Sequence, residues 1–284
     1  MHMASTTDVV FLVPVKAFKQ AKSRLVEIFP PETRPAMQER IGIALFEDLM
    51  DVLVTFVKKY IASKVVICSP DPGVKARVKA AGANFVFLDE ASMDRGDPEH
   101  AGLTGLDKII ACMNDFAINI LGAKGTVLLM NDLPLLSVHA LVGLFKNIAL
   151  KSSFKKVLLS PSMGNGCNMI ARFPPNIIET RYSSKHDPSF IEHLALAKQK
   201  AMDIGMKAEK FIEVYKNLEI YLDLDTPEDL MNLYPLLKEV RPKSRLLAVL
   251  ESLDVEIKKR DSDDTRQVSI KVNMEKWKNG ITLL

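Results

Sequence analysis

The chain alternates short, continuously apolar runs with longer segments of helical periodicity, and this alternation constrains its fold more than any other feature. The apolar runs are Val9–Val13, Val65–Cys68, Phe85–Leu88 and Val127–Met130. The helical patterns that follow them cover about 33–59, 74–81, 103–121 and 138–150. Strands that are apolar throughout, rather than at every second residue, are typical of a parallel sheet buried on both faces. We therefore predict a doubly wound α/β fold, with a mostly parallel central sheet and helices on both faces.

The remainder of the chain predicts two further parts of the fold. Strands at 157–160 and 167–172 flank a glycine loop, and a helix near 188–204 precedes strands near Phe211–Val214 and Ile220–Asp223. Thr226 and Pro227, with acidic residues after them, predict a helix start. Beyond Pro242 we expect a short helix over 246–253 and a β-hairpin over 255–272. The predicted organisation is a main domain over 8–236 and a C-terminal helix-and-hairpin extension over 237–284.

Composition and charge exclude several classes of protein. The 284 residues include 38 Lys and Arg and 35 Asp and Glu, a balance unlike that of a nucleic-acid coat protein. The three cysteines form no CxxC pair, so a zinc knuckle and a disulfide framework are both disfavoured. No apolar run approaches the ~18 residues of a membrane span. We expect a cytoplasmic protein that binds neither nucleic acid nor membrane.

A basic loop follows the first predicted strand. It carries Lys16, Lys19, Lys22 and Arg24 at the carboxyl end of that strand, where ligands of α/β sheets bind. Basic side chains and loop amides suit a chain of phosphates, although a solvated basic turn would have the same composition. The chain lacks the GxxxxGK[ST] sequence, so the P-loop class is not supported.

Carboxylates follow two other predicted strands. Asp132 follows shortly after the run that ends at Met130. Its carboxylate could bind a magnesium ion if phosphate groups supplied the remaining ligands. The alternative is that these residues form a plain turn. Within a strand, Asp223 and Asp225 would point to the same side, where they would repel unless cationic groups lay nearby. The alternative is that Asp225 caps the next helix and Asp223 faces solvent.

A glycine-containing loop, Gly164-Asn165-Gly166-Cys167-Asn168, separates two of the predicted strands. Glycines allow the backbone to approach an anion closely, but a simple connecting turn explains the same residues. Met169 stands where the dinucleotide fingerprint GxGxxG needs its third glycine, so that fingerprint is absent. We expect Cys167 to be inert as a nucleophile, because no His and Asn partners are implied by spacing.

Taken in order, these motifs resemble the 2-phospho-L-lactate guanylyltransferase family, which acts in biosynthesis of the deazaflavin coenzyme F-420. The matching stretches span roughly Val9 to Pro235 and are Val13–Lys16 with Lys22–Leu25, Gly102–Thr104, Asp132–Leu136, Gly164–Asn168, Ser189-Phe190 with His193, and Asp223–Leu230. The family belongs to nucleotidyltransferases with a glycosyltransferase-A-like sheet, the architecture of nucleotide-diphospho-sugar transferases.

The resemblance implies a reaction and a set of partners. An acceptor phosphate oxygen would attack the α-phosphorus of GTP, pyrophosphate would leave, and Mg²⁺ would assist. With 2-phospho-L-lactate as the small phosphorylated carboxylic acid, the product would be lactyl-2-diphospho-guanosine.

The resemblance also implies roles for individual residues. Lys22, Arg24, Asp132 and Asp225 would be catalytic, and Mg²⁺ would bind Asp132 and Asp225, with Asp223 as a direct or outer ligand. The nucleotide would bind Val13, Pro14, Val15, Lys16, Lys22, Arg24, Ser69, Gly102, Leu103 and Thr104. The acceptor would bind Gly166, Cys167, Asn168, Ser183 and Ser189.

The chain departs from the family pattern at Thr104, at Cys167 and between Arg181 and Ser189, and two of these segments bind the acceptor in the family. Phosphoenolpyruvate or phosphoglycerate as acceptor, or CTP or ATP as nucleotide, therefore stay open. A non-catalytic nucleotide-binding or assembly module is a further alternative. Retention of Lys22, Asp132 and Asp225 argues against that alternative, because a scaffold needs no such set.

The C-terminal extension has no counterpart in the family pattern. A hairpin with Val255, Ile257, Val268, Ile270 and Val272 on one face would be unstable alone in water, so this face must cover another surface. We expect it to cover a second copy of the chain and make a homodimer; docking on its own sheet and a frayed basic appendage are the alternatives.

Overall fold

The structure is a computed structural model, and it describes residues 9–60, 63–93, 103, 105–149, 155–183, 187–253, 256–259 and 268–271. For Tyr60, Ala149 and the last two of these segments it describes only the backbone. Among the described helices, none is long and apolar enough to cross a membrane.

A central sheet of seven strands dominates the described part of the chain. Its strands are β1 (Val9–Pro14), β2 (Lys64–Ser69), β3 (Phe85–Asp89), β4 (Gly125–Leu129), β5 (Lys156–Pro161), β6 (Cys167–Phe173) and β7 (Ile212–Val214), in the order β3-β2-β1-β4-β6-β5-β7. Only β6 runs antiparallel to its neighbours, β4 and β5; the other pairs are parallel. The predicted mostly parallel sheet is confirmed. The exception follows from the short glycine loop between β5 and β6, which can only join antiparallel strands.

Helices connect most of the strands. They are α1 (Arg34–Tyr60), α2 (Pro72–Ala80), α3 (Gly105–Asn119), α4 (Val138–Ala149), α5 (Ser189–Asp203), α6 (Ala208–Phe211), α7 (Leu218–Tyr221), α8 (Pro227–Val240) and α9 (Arg245–Ser252). Short 3₁₀ turns cover Phe18–Gln20, Leu25–Ile28, Pro31–Thr33 and Glu90–Ser92.

The two faces of the sheet are covered by different helices, as predicted. Alternate residues of β1 point to opposite faces. Leu12 packs in one core with Met113 of α3. On the other face, the Phe11 ring meets Phe56 of α1 with centroids 5.8 Å apart, and Phe56 meets Phe145 of α4 at the same distance. This double burial explains why β1 is apolar at every position.

The described residues form two compact units. The sheet unit lies within Met1–Lys16, Val52–Asn131 and Leu136–Tyr221; the helical unit lies within Ala17–Asp51, Asp132–Leu135 and Leu222–Leu284. All seven strands of the sheet belong to the sheet unit. Helix α8 continues across positions 236 and 237, so the predicted division into 8–236 and 237–284 falls inside one helix and stays a prediction.

The prediction of a strand at Ile220–Asp223 is wrong. Residues up to Tyr221 form the end of α7, and 222–225 have no regular structure. Asn217 starts this helical turn: its side chain accepts the Glu219 N–H at 2.9 Å, and its carbonyl accepts the N–H groups of Ile220 and Tyr221. The strand alternation used to place Asp223 and Asp225 on one side therefore does not apply.

The C-terminal elements agree with their predictions. Helix α9 buries Leu246, Leu247 and Leu250. Strands β8 (Glu256–Lys259) and β9 (Val268–Lys271) form the predicted antiparallel pair, and β9 lies beside α8. The predicted apolar face, with Val255, Ile257, Val268, Ile270 and Val272, lies outside the described side chains.

Candidate functional site

Lys22 lies between two carboxylates in the helical unit. Its Nζ donates to Asp132 Oδ2 at 2.8 Å and to Asp225 Oδ1 at 2.7 Å, and only 10% of its side chain is exposed. Its backbone φ is 53°, in the left-handed region that a non-glycine residue seldom adopts. Such a conformation persists only where the surrounding structure holds it, and it often marks a functional residue.

Arg24 and the start of α8 complete this arrangement. Arg24 Nη2 donates to Asp225 Oδ2 at 2.8 Å, so both oxygens of Asp225 meet a cation. The Asp229 carboxylate accepts the N–H groups of Asp225 and Thr226 at 2.9 and 2.8 Å. The Leu224 N–H donates to the Asp132 carbonyl at 3.0 Å, which ties the two acidic segments together. We call Lys22, Arg24, Asp132, Asp223 and Asp225 the lysine–carboxylate cluster.

Electrostatics within this cluster favour a cationic Lys22. Burial alone would lower the pKa of Lys22, but the charges and hydrogen bonds of Asp132 and Asp225 outweigh burial and raise it. For Asp223, burial, followed by the charge of Asp132, raises the pKa to about 6, which favours the neutral rather than the charged form of this side chain. The cluster thus concentrates negative charge that one lysine and one arginine only partly compensate.

The fit of a metal ion can be judged from Asp132. Its second oxygen, Oδ1, is buried and has no hydrogen-bond partner in the structure, which suits a further cation. Among the described residues, no group of three His, Cys, Asp or Glu side chains is placed to hold a metal by itself. Asp132 and Asp225 therefore fit a magnesium ion only if phosphate oxygens and water complete its coordination.

In the sheet unit, the predicted nucleotide residues Val13–Lys16 and Ser69 lie at the carboxyl ends of the parallel strands β1 and β2. Val13 and Val15 are buried, and the Val15 N–H donates to the Cys68 carbonyl at 2.8 Å, which continues the β1–β2 pairing. Ser69 is buried at the end of β2, and Lys16 is exposed. Pro14 and Leu103 are half-buried, whereas Gly102 and Thr104 lie outside the described residues.

The glycine loop gathers hydroxyl groups. A Cβ atom on Gly166 would lie 2.8 Å from Ser162 Oγ, which is too close, and 3.7 Å from Ser189 Oγ, which is an ordinary contact. The structure thus brings the predicted residues Gly166 and Ser189 together and adds Ser162, which sequence reasoning missed. Its only signal was its place, directly after β5.

Cys167 and Asn168 begin strand β6. Burial raises the pKa of the Cys167 thiol to about 12, which keeps it protonated and a poor nucleophile near neutral pH. The Asn168 side chain donates to the Ile220 carbonyl at 2.8 Å, which ties β6 to α7.

Ser183 is exposed, and its N–H donates to Asp107. Asp107 is a buried acid at the start of α3, and the sequence analysis did not predict it as a site residue. An acidic residue in a first helical turn ordinarily suggests only a favourable helix-dipole contact.

Comparison with known proteins identifies relatives of this chain. The family described as guanylyl transferase CofC-like matches residues 107–271. A phosphoenolpyruvate guanylyltransferase from Conexibacter woesei is 27% identical over 221 residues, which cover 77% of this chain and 84% of that protein. A 2-phospho-L-lactate guanylyltransferase from Methanobrevibacter smithii is 25% identical over 223 residues, covering 78% and 82%.

A solved structure supports the fold independently. The chain resembles a protein from Desulfovibrio desulfuricans described as a nucleotide-diphospho-sugar transferase, with a TM-score of 0.58 and 17% identity. The match covers 88% of this chain and 96% of that protein. Both the predicted fold class and the resemblance drawn from the motifs are confirmed: the chain is a nucleotidyltransferase and belongs to the CofC-like guanylyltransferase family.

Proposed function

We propose that the protein transfers GMP from GTP to the phosphate of 2-phospho-L-lactate. The products are lactyl-2-diphospho-guanosine, an intermediate on the way to a deazaflavin coenzyme, and pyrophosphate. The observation that carries the proposal is Lys22 held between Asp132 and Asp225 in a chain of this family. The relative from Methanobrevibacter smithii is named for this acceptor.

The central difficulty of the reaction is that both substrates are anions. Their repulsion must fall before an acceptor oxygen can approach the α-phosphorus of GTP. Lys22 and Arg24 supply positive charge for the triphosphate and for the pyrophosphate as it departs. A phosphate oxygen of the acceptor is already ionised at neutral pH, so the step needs no general base.

Asp132 and Asp225 are the residues that would hold a magnesium ion, with Asp223 beside them. When bound, that ion neutralises phosphate charge. The unpartnered Oδ1 of Asp132 supports this assignment. The three carboxylates of the cluster outnumber its lysine and arginine by one, and this surplus of negative charge supports the assignment as well.

The acceptor is assigned to the glycine loop and to nearby hydroxyl groups. The backbone of Gly166, Cys167 and Asn168, with the hydroxyls of Ser183 and Ser189, offers donors for a phosphate and a carboxylate. The Asn168 side chain already donates to the Ile220 carbonyl, so its contribution is expected from the backbone.

Phosphoenolpyruvate is the second candidate acceptor, and one observation favours it. The relative from Conexibacter woesei, at 27% identity, is named for this acid. Both acids carry a phosphate on the carbon next to a carboxylate, so the same donors would serve either. They differ at that carbon, which is tetrahedral in phospholactate and planar in phosphoenolpyruvate.

Pyrophosphate release tests the proposal directly. The purified protein is mixed with GTP, ATP or CTP and with 2-phospho-L-lactate, phosphoenolpyruvate or 3-phosphoglycerate in turn. We expect release with GTP and 2-phospho-L-lactate above every other pair. Fastest release with phosphoenolpyruvate would identify that acid as the acceptor. Release at the same rate with and without an acid would contradict both candidate acceptors.

An Asp132→Asn protein, measured in the same assay, tests the role of the Asp132 carboxylate. It keeps the size and most of the packing of Asp132 but loses the charge that faces Lys22. We expect the melting temperature to change little and turnover to fall at least ~100-fold, about 3 kcal/mol of transition-state stabilisation. Near-normal turnover in the folded variant would remove Asp132 from the site.

A further inference from the structure

Three consecutive backbone N–H groups in the sheet unit are held by buried side chains from other elements. Arg181 N–H donates to His193 Nε2 at 2.8 Å. Tyr182 N–H donates to Asp107 Oδ1 at 2.7 Å, and Ser183 N–H donates to Asp107 Oδ2 at 2.8 Å. Asp107 is 4% exposed and His193 is fully buried. The segment 181–183 has no regular secondary structure, so these side chains define its conformation.

Holding these N–H groups with a buried carboxylate costs hydration free energy, which suggests that the position of segment 181–183 matters. N–H groups of an irregular surface segment are ordinarily satisfied by water. Burying a carboxylate removes its hydration, and Asp107 recovers part of that loss through the two N–H groups that it accepts. A bidentate acceptor for two successive amides also fixes their orientation, because both oxygens belong to one rigid carboxylate.

The segment is fixed at the edge of the sheet where ligands of α/β proteins bind. The Tyr182 hydroxyl donates to the Cys167 carbonyl at 3.0 Å, at the first residue of β6. The next residue, Asn168, accepts the N–H of Met130, directly after β4, through its carbonyl at 3.0 Å. The Tyr182 ring also packs on His193, with centroids 4.8 Å apart. Segment 181–183 is thus anchored at the carboxyl end of β4.

The anchoring leaves one hydroxyl group at a defined place. Ser183 is exposed although its backbone is held from inside the protein. A Cβ atom on Gly105 would lie 3.4 Å from Ser183 Oγ, and Gly105 has a φ of 53°. The positive φ explains glycine at 105, which gives the chain the turn that leads into α3, two residues before Asp107.

We propose that Asp107 is a positioning residue that sets the affinity for the phosphorylated acid. It acts through Tyr182 and Ser183, whose backbone it holds, and it touches neither the nucleotide nor the acceptor phosphate. The proposal rests on the proposed function, because it takes Ser183 as part of the acceptor site. It adds a residue and a division of labour: Asp107 governs the acceptor and leaves the nucleotide unaffected.

The test compares Asp107→Asn with a matched variant, Asp48→Asn. Asp48 is 5% exposed, and its carboxylate accepts the N–H groups of Arg245 and Leu246 at 2.9 and 3.1 Å, the same bidentate arrangement. Asp48 serves helix α9, which carries none of the proposed site residues. In each variant an asparagine keeps one acceptor oxygen and points an NH₂ group at the other N–H, so both lose comparable local structure.

Initial rates of pyrophosphate release are measured for both variants and the wild type, with GTP and acid varied separately, together with melting temperatures. For Asp107→Asn we expect the KM for the acid to rise at least about tenfold while the KM for GTP stays within about twofold. Asp48→Asn should lower the melting temperature without separating the two KM values.

Three other outcomes have distinct meanings. An Asp107→Asn protein that only melts earlier, with the acid KM unchanged, would overturn the positioning role and leave the proposed function intact. Equal increases in both KM values would also overturn it. A wild type that releases no pyrophosphate with any acid would overturn the proposed function and, with it, the role given to Asp107.

Discussion

Lys22 is the residue with the most demanding environment in the described cluster. Its backbone is left-handed, its ammonium group is largely buried, and two carboxylates lie within 2.8 Å of its Nζ. The net rise in its pKa means that Lys22 stays protonated throughout the neutral range. Charge at this point is therefore a permanent part of the cluster.

Lys22→Ala should weaken GTP binding and slow the chemical step together. Negative charge grows on the departing pyrophosphate as the bond to the α-phosphorus breaks, so a lysine there stabilises the transition state more than the ground state. Steady-state kinetics with GTP varied at saturating acid would measure both effects. Lys79→Ala, which removes an exposed lysine of α2, is the control. A Lys22→Ala protein that altered only the KM for the acid would contradict the assignment of Lys22 to the triphosphate.

The sequence indicates which residues belong to the cluster but not which of them contact one another. Lys22, Asp132 and Asp225 stand out by their residue type and by their position near predicted strand ends. The direct pairing of Lys22 with both carboxylates could not be predicted, because it depends on a left-handed backbone at a lysine. Asp107 was missed for a similar reason: its amide partners are 75 and 76 residues away in the sequence.

At the scale of single elements, the start of α8 links helix formation to the cluster. Thr226 accepts the Asp229 N–H, and the Asp229 carboxylate accepts the N–H groups of Thr226 and Asp225. The first two contacts form a capping box of the kind that stabilises helix starts. The third contact reaches one residue further and holds the backbone of Asp225.

Thr226→Ala and Asp229→Ala should therefore differ in their effect on turnover. Each removes half of the capping box and should cost about 1 kcal/mol of unfolding free energy. Only Asp229→Ala also releases the Asp225 backbone, so we expect its turnover to fall clearly below that of Thr226→Ala. Urea unfolding and pyrophosphate release measure the two effects separately. Equal turnover in two equally destabilised variants would show that the contact to Asp225 has no role in catalysis.

Sequence periodicity predicted elements well where one strong pattern was present and poorly where two signals competed. The buried strands and the Thr226 helix start were predicted because both faces of the sheet and the capping residues leave clear patterns. Ile220–Asp223 was misassigned because Asn217, just before it, nucleates a helical turn through its side chain and carbonyl. Local hydrogen bonding of this kind overrides a short apolar run.

At the scale of the whole molecule, His193 should make stability depend on pH. Burial, followed by the charge of Arg172, lowers its pKa from 6.5 to about 3, so the folded protein keeps it neutral. Below pH 6.5 the unfolded chain binds a proton that the folded chain does not. The stabilisation is therefore complete above pH 6.5 and is lost as pH falls toward 3, by about 1.4 kcal/mol per pH unit.

The contribution of His193 is isolated by comparing the wild type with His193→Gln, whose side-chain oxygen can still accept the Arg181 N–H. Between pH 7 and pH 5 the wild type should lose about 2 kcal/mol more unfolding free energy than the variant. The raised pKa of Asp223 acts in the opposite direction in both proteins and cancels in the difference. Urea unfolding at the two pH values measures it, and parallel pH profiles would contradict the assignment.

The C-terminal hairpin is the segment through which we expect two copies of the chain to form a homodimer. Helix α9 is anchored by Asp48 and buries leucines, so a truncation that tests the hairpin must keep residues up to Leu253. We expect the full chain to have the solution mass of two copies and the chain lacking 254–284 to have that of one. Light scattering after size-exclusion chromatography measures both. A full chain of single mass, or a dimer that survives truncation, would contradict a hairpin-mediated homodimer.

If this protein joins GMP to a phosphorylated carboxylic acid, the α-phosphate of GTP must end in the product, and its fate can be followed with a label. The protein is incubated with magnesium, 2-phospho-L-lactate and GTP that carries a radioactive α-phosphorus, and the products are separated by ion-exchange chromatography. We expect the label to move from GTP into one new diphosphate diester, in equal amount to the unlabelled pyrophosphate released, and only when the acid is present. Label that stays in GTP, both with 2-phospho-L-lactate and with phosphoenolpyruvate in its place, or that appears in GDP or GMP regardless of the acid, would contradict transfer of GMP to the acid.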